Sequence, residues 1–391
     1  MVAFRKLRRG YVPAAARHRL HALVLLCFAA FVLAGHADAK ADIVLQDAAG
    51  RTVRLKAPAH RIVTNESLIL LSLALIDPDP VSRLAGWAGP QRIGEGILDA
   101  FRQRFPTIDA IPVVGGVSPS NTSAEGIISA KPDLFLINLW QSDWTAVAEL
   151  VEAAGIPVIF FDGPANADRP VGEATAFSIE LLGRAIGRDD NAKAFAALVR
   201  SRYANVAERL AKVQTRPSVL VDAHAVEVCC STPGAGNRMT QMLDLAGAHN
   251  IAASLVAGYD GVLSPEFVLA RNPDVYIATG GPHLAGQGGL VLGSGVGVEA
   301  ARASLRKIVA GSIRNVLPAV REGRAFAVSH QLAISAMNVV VFELFAKWAH
   351  PEIFRDIDPQ STLDEINRRF MAVPLHGAFW VSLSTNPSAA P

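Results

Sequence analysis

From residue 42 onward, short apolar runs alternate with longer amphipathic stretches. The runs at 61–63, 83–86, 111–114, 134–139 and 157–161 are rich in Val, Ile, Leu and Phe and bounded by turn residues, which predicts buried strands. Helical spacing fills the intervals, first over 67–75. Strands alternating with helices predict a mostly parallel sheet covered on both faces. A hairpin turning at Ala48-Ala49-Gly50-Arg51 feeds the first strand.

The pattern changes over 170–186. Ala174, Phe177, Leu181 and Ala185 form one apolar stripe and Ile179, Leu182 and Ile186 another, so this helix is gripped from two sides. It reads as a strut, 170–187, between an N-terminal lobe of residues 40–169 and a C-terminal lobe of residues 188–384. The second half repeats the alternation: a strand at 218–222, a helix around 239–245, a helix near 299–309 and a strand at 325–328. Val341, Leu344, Phe345 and Trp348 recur at i, i+3, i+4 and i+7, a core-facing stripe, with Glu343 spaced to pair with Lys347. Residues 385–391 read as a frayed tail. The expected fold class is α/β: two mostly parallel-sheet lobes joined by a single long α-helix, with a ligand cleft between them.

One motif occurs twice, 141 positions apart. Ser123-Ala124-Glu125 leads through a short apolar turn to Pro132-Asp133 and the run Leu134 to Ile137. Ser264-Pro265-Glu266 leads in the same way to Pro273-Asp274 and the run Val275 to Ala278. Each Ser is placed to cap a helix, each Glu sits in the first turn where the macrodipole favours an anion, and Pro-Asp stops the helix before a buried strand. The duplication implies two similar lobes presenting a carboxylate at the same place, and a charge so placed twice reads as a docking feature.

Composition adds an address. Arg5, Lys6, Arg8, Arg9, Arg17 and Arg19 precede an apolar stretch over 20–35, and Ala37-Asp38-Ala39 offers a small-x-small cleavage site. This predicts a secretory signal peptide, 1–39, cut after Ala39. The apolar stretch is shorter than the roughly 20 residues a membrane span needs. Cleavage removes six basic residues and one acidic residue, leaving 31 Lys+Arg against 34 Asp+Glu. A slightly acidic mature chain removes the electrostatic case for nucleic acid.

Ligands of open α/β sheets bind beyond the carboxyl ends of the strands. The residues there are Asn65, Glu66, Trp87, Gly115, Gly116, Trp140 and Asp162 in the first lobe, and His224, Cys229, Arg238, Gly280, His283, His330 and Gln331 in the second. From these, Asn65, Trp87, Trp140, His224, Arg238, His283, His330 and Gln331 are the candidate ligand-binding residues. The set is rich in aromatic, amide and imidazole groups and short of paired carboxylates. Gly-x-Ser-x-Gly, Gly-x-x-x-x-Gly-Lys and His-Glu-x-x-His are all missing, so no catalytic residue is assigned. Gly293 to Gly297 lacks dinucleotide spacing and reads as a flexible loop. Cys229 and Cys230 are adjacent, too close for a relaxed disulfide, and read either as two buried apolar residues or as a redox or soft-metal pair.

Taken together, the sequence resembles the periplasmic substrate-binding proteins of ABC importers for iron-siderophore complexes, haem and cobalamin. The carriers of the resemblance are Asp47 to Arg51 with Arg61-Ile62-Val63, the two Ser-x-Glu…Pro-Asp copies, the strut, and Ala246-Gly247-Ala248-His249-Asn250-Ile251, which is similar to the family's Gly-Gly-x-Asn-Ile turn. The resemblance implies that Glu125 and Glu266 engage an inner-membrane permease and its ATPase, that the hinge is stiff, and that the protein acts as a monomer without a resident cofactor. A bare metal site is disfavoured because the first lobe holds only His60, and haem because Tyr203, Tyr259 and Tyr276 all follow the strut. The expected cargo is therefore an iron(III) siderophore complex, with haem or cobalamin as the alternative within the family. A secreted metalloenzyme built on His224, His283 and His330 is the alternative outside it.

Overall fold

The computed structural model describes residues 42–138 and 143–383; the expected signal segment, Trp140 and the tail at 385–391 lie outside the described residues. The chain opens with an antiparallel hairpin, Ile43–Gln46 against Thr52–Leu55. Asp47 closes its turn by accepting from the backbone N–H groups of Ala49 and Arg51.

The first sheet is formed by β1 (Ile62–Thr64), β2 (Leu84–Ala88), β3 (Val113–Gly115), β4 (Leu134–Asn138) and β5 (Val158–Asp162). All its pairings are parallel, in the order β3-β2-β1-β4-β5. Helix α1 (Ala124–Ser129) carries the first motif copy into β4. Strands buried on both faces explain the near-continuous apolar runs that betray them in sequence.

Two helices follow. Helix α2 (Val171–Ile186) ends at Gly187, whose φ of +70° lets the chain reverse into α3 (Asp189–Leu210). They lie antiparallel. Gly172 faces the Tyr203 ring so closely that a Cβ there would overlap it, and Arg200 reaches back to Glu173 at 2.8 Å and Glu180 at 2.6 Å. The expected strut ends at Gly187, and the structure uses that glycine as a turn into α3. It is α3, 22 residues and about 33 Å long, that carries the chain between the lobes. Near its start Asn191 bonds the carbonyl of Ile76 in the first lobe. Toward its end Arg202 pairs with Glu365 at 2.7 Å and Arg209 with Asp356 at 2.7 Å in the second.

The second sheet is formed by β6 (Ser218–Asp222), β7 (His249–Asn250), β8 (Val275–Gly280), β9 (Ala325–Ser329) and β10 (Trp380–Ser382), ordered β7-β6-β8-β9-β10. Only β10 runs antiparallel. Helix α4 (Arg238–Leu245) precedes β7, α5 (Pro265–Arg271) carries the second motif copy into β8, and α6 (Asn338–Ala349) packs against α3.

The lobes repeat one another down to individual hydrogen bonds. In each, the motif feeds the strand beside the lobe's first strand: β4 against β1 with Leu134 opposite Ile62, and β8 against β6 with Val275 opposite Val219. The motif aspartates fix those registers. Asp133 accepts from the N–H groups of His60 and Arg61 at 2.8 and 2.9 Å, and Asp274 from the N–H and hydroxyl of Ser218 at 2.8 and 2.7 Å.

One apolar cluster runs from Leu71 and Phe101 through Leu182, Phe195 and Val199 to Phe342 and Phe345, so the helical pair and both lobes share a core. Two expectations change within the second lobe. Glu343 does not pair with Lys347: it lies 3.8 Å from Arg202, while Lys347 donates to the Ile357 carbonyl at 2.8 Å, because α6 buries that face against α3. Gly293–Ser294 is no free loop but pairs antiparallel with Gly377–Ala378.

Candidate ligand-binding cleft

The three candidate histidines follow three neighbouring strands of the second sheet. His224 comes two residues after β6, His283 lies in the 3-10 turn Pro282–Gln287 after β8, and His330 directly follows β9. His224 has a left-handed backbone, φ +51°, and its N–H donates to Thr279 Oγ1 at 3.0 Å. The same hydroxyl lies 3.2 Å from His330 Nδ1. The Nε2 atoms of His224 and His330 are 2.8 Å apart, and the His283 ring packs edge-on to His224 with centroids 5.3 Å apart. Gln331 sits 3.1 Å from His283 Nδ1 and is itself buried, so it orients that ring.

Electrostatics keeps this cluster neutral. Burial lowers the pKa of His224 to about 4, helped by His283 and by Arg92 of the first lobe and opposed by Asp260. Burial likewise depresses His330 far below the usual imidazole range, with His224, His283 and Arg92 adding to it, and lowers His283, with Arg92 again contributing. At neutral pH the site therefore presents imidazole rather than imidazolium. His224 and His283 keep part of their surface exposed to solvent.

The first lobe contributes Arg92, just beyond β2, ion-paired with buried Glu66 at 3.1 Å. Burial raises the Glu66 carboxyl above its usual range, against the pull of Arg92 and of a hydrogen bond from Asn138. Tyr259, at the start of the short strand Asp260–Val262, feels Arg92, Asp260, Asp162 and Glu66, and burial raises its hydroxyl pKa. Arg92, Tyr259, Asp260 and Thr279 were not among the sequence candidates. Arg92 lies a few residues past the end of β2, and Thr279 lies inside a strand.

Three sequence candidates take other roles. Asn65 is 1% exposed and clasps Asn138, accepting from its N–H at 2.8 Å and donating to its carbonyl at 2.9 Å, which leaves its amide no free edge for a ligand. Trp87 lies within β2, 3% exposed, inside the apolar core rather than on a cleft wall. Arg238 spends its guanidinium on the carbonyls of Asn166 at 2.8 Å and Arg169 at 3.2 Å, strapping the second lobe to the segment before α2. A second lobe-to-lobe contact closes the other flank: Ser294 Oγ donates to the Gly96 carbonyl at 3.0 Å, and a Cβ at Gly96 would overlap the Ser294 carbonyl oxygen.

Glu125 and Glu266 are exposed first-turn residues on α1 and α5, whose caps form as expected. Gly126 N donates to Ser123 Oγ at 3.0 Å and Phe267 N to Ser264 Oγ at 3.2 Å. A cavity of about 810 Å³ lies elsewhere, at the opposite end of the second sheet, walled by Phe326, Trp348 and Trp380; it holds none of the candidate residues.

A family model described as periplasmic binding protein matches residues 99–328, more than half of the chain. The chain belongs to the periplasmic binding protein family. Solved structures of this kind superpose on most of its length. The crystal structure of the TroA-like periplasmic binding protein FepB from Veillonella parvula is 25% identical, covers 87% of this chain and 99% of its own, and has a TM-score of 0.78. The molybdate-bound periplasmic binding protein MolA of a Haemophilus influenzae ABC transporter is 16% identical, covers 85% and 99%, and has a TM-score of 0.66. A protein of an ABC-type Fe3+-hydroxamate transport system from Saccharomonospora viridis is 20% identical, covers 78% and 98%, and has a TM-score of 0.53. No curated protein sequence matches significantly. The expected two-lobed α/β fold is the one observed for this periplasmic binding protein. Among the described residues no helix is long and apolar enough to cross a membrane.

Proposed function

We infer that this periplasmic binding protein captures a metal held in an organic chelator, an iron(III) siderophore complex, and delivers it to an inner-membrane permease through Glu125 and Glu266. The observation that carries this reading is the cluster of three neutral imidazoles beyond β6, β8 and β9, facing Arg92 across the cleft. Neutral imidazole offers lone pairs to iron and to other borderline metals. The 2.8 Å between the His224 and His330 nitrogens approaches the edge of a coordination polyhedron, about 3 Å for bonds near 2.1 Å. A chelator supplying most of the coordination sphere needs only one or two such donors, and Arg92 complements the negative charge that ferric chelates carry. Since all three histidines lie on one lobe, a bulky guest with its own ligands fits better than a naked ion gripped from both sides. The likeness to a Fe3+-hydroxamate transport protein agrees with this cargo, while the likeness to a molybdate-binding one shows that the fold alone does not choose it.

The test is fluorescence titration of the purified protein with ferric hydroxamate and ferric catecholate complexes, with mass spectrometry of any small molecule that co-purifies. Submicromolar binding that falls at least tenfold in a His224→Ala/His330→Ala variant is expected. Co-purified haem or cobalamin would replace the cargo, and stoichiometric zinc without a chelator would overturn the chelate reading.

A further inference from the structure

Behind the cleft wall lies a second donor set. Asp222, the last residue of β6, is 1% exposed; its Oδ2 accepts from the Tyr276 hydroxyl and from Arg314 Nε, both at 2.7 Å. Its Oδ1 is buried without a hydrogen-bond partner. A buried acceptor left in that state costs about 1–3 kcal/mol, so a missing partner is implied. Cys229 and Cys230 are 6% and 1% exposed, and their sulfurs lie within 4.8 Å of an Asp222 carboxylate oxygen. Arg314, fully buried, also donates to the carbonyls of Glu227 at 2.9 Å and Val228 at 3.4 Å, holding the cysteine loop over the strand end.

We propose that the reduced Cys229–Cys230 pair and Asp222 bind one thiophilic divalent cation of the zinc–cadmium class. The structure holds the two cysteines as a disulfide. A dithiol opens it by exchange, becoming a disulfide itself and passing two electrons and two protons to the sulfurs. The cation then displaces both thiol protons into solvent: two S–H bonds break, and two metal–sulfur bonds and one metal–oxygen bond form. Charge favours the exchange. With Asp222 balanced by Arg314, the site is neutral as disulfide, neutral as dithiol, and neutral again as two thiolates around a divalent ion, so burial penalises none of the three. Size agrees as well. Tetrahedral bonds of about 2.3 Å to sulfur and about 2.1 Å to oxygen place donors about 3.6 Å apart, inside the 4.8 Å within which all three donor atoms lie. Thiolate donors select soft cations over magnesium and calcium. His224 stands on the same loop, so occupancy here bears on the placement of a cleft imidazole.

The experiment titrates cadmium chloride into the mature protein after reduction with a phosphine, which takes up oxygen from water as the disulfide is reduced. Ultraviolet thiolate-to-metal charge-transfer absorption and native mass spectrometry are read together. One equivalent with a charge-transfer band is expected in the reduced protein and no band in the oxidised protein. Cys229→Ser/Cys230→Ser removes the band, and Asp222→Asn weakens binding at least tenfold. Because Asp222→Asn also breaks the Arg314 pair, Cys230→Ser, which leaves that pair intact, is the second variant and loses at least tenfold in affinity. A reduced protein without a band, equal bands in both redox states, or a pair that stays oxidised in the folded chain overturns the proposal. Cleft histidines give no thiolate band, so the result is independent of the cargo.

Discussion

His224 and His330 meet Nε2 to Nε2 at 2.8 Å, a distance with room for one hydrogen between them. One ring donates and the other accepts. A second proton would set N–H against N–H, and His224 accordingly lowers the basicity of His330 beyond what burial does. Replacing His224 by Ala relieves that conflict, and the His330 pKa is expected to climb toward the usual imidazole range, read by proton NMR of the imidazole signals. An unchanged His330 titration would mean the pair is not coupled.

Cargo binding inherits this. The folded pKa of His224 lies below the usual imidazole value, so the neutral form prevails above about pH 4. If neutral nitrogens engage the guest, affinity is flat from pH 8 to roughly pH 5 and falls below that as the rings take up protons. Affinity that rises on acidification would point instead to imidazolium recognising an anion. The sign for folding is the same: a depressed histidine leaves stability untouched above pH 6.5 and erodes it as pH drops toward 4, since the unfolded chain then binds the proton more readily.

Glu343 responds in the opposite sense. Burial pushes its carboxyl up to about 7, opposed by Thr362 and Arg202. The fold favours the protonated acid, so stability is lost as pH rises from 4.5 through 7 and stays low above. The shift corresponds to about 3 kcal/mol at full extent. Glu343→Gln is expected to raise stability by about 2 kcal/mol at pH 8 and little at pH 4, measured by urea unfolding. Equal effects at both pH values would show that ionisation is not the cause.

Removing Glu125 and Glu266, the proposed docking acids, tests whether capture and delivery are separate. Glu125→Ala/Glu266→Ala should leave cargo affinity within twofold while reducing uptake in cells at least tenfold. The helix caps at Ser123 and Ser264 stay in place, so the fold is preserved. Loss of affinity in solution would assign these acids to the cleft.

Gly96 tests the lobe contact. Its missing side chain lets Ser294 reach the Gly96 carbonyl, and Gly96→Ala would wedge the flank open. Weaker cargo binding by about tenfold, with a larger radius of gyration in solution scattering and a near-normal melting temperature, is expected. A lower melting temperature with unchanged binding would make the contact purely structural.

Much of the fold was readable because its signals are local. The Ser caps, first-turn acids and Pro-Asp stops are short-range patterns, and all form as read. The histidine cluster was reachable through one non-local rule, that loops beyond parallel strands converge. What failed depended on partners distant in sequence. Arg238 faces carbonyls of Asn166 and Arg169, about seventy residues away, and nothing near it announces them. The apolar run 83–86 places Trp87 beyond its strand, but β2 runs to Ala88, and those two extra residues turn a cleft wall into core. Gly187 ends a helix whether a lobe or only a turn follows.

The apolar interior that passes unbroken from one lobe through α2 and α3 to the other has a mechanical corollary. Wide separation of the halves would expose part of that interior to water, so the molecule has little travel of its own. Release of a tightly held guest then calls for external work, and leverage is greatest at points far from the hinge on each half. A transporter gripping the protein there could convert nucleotide hydrolysis into the small distortion that empties it.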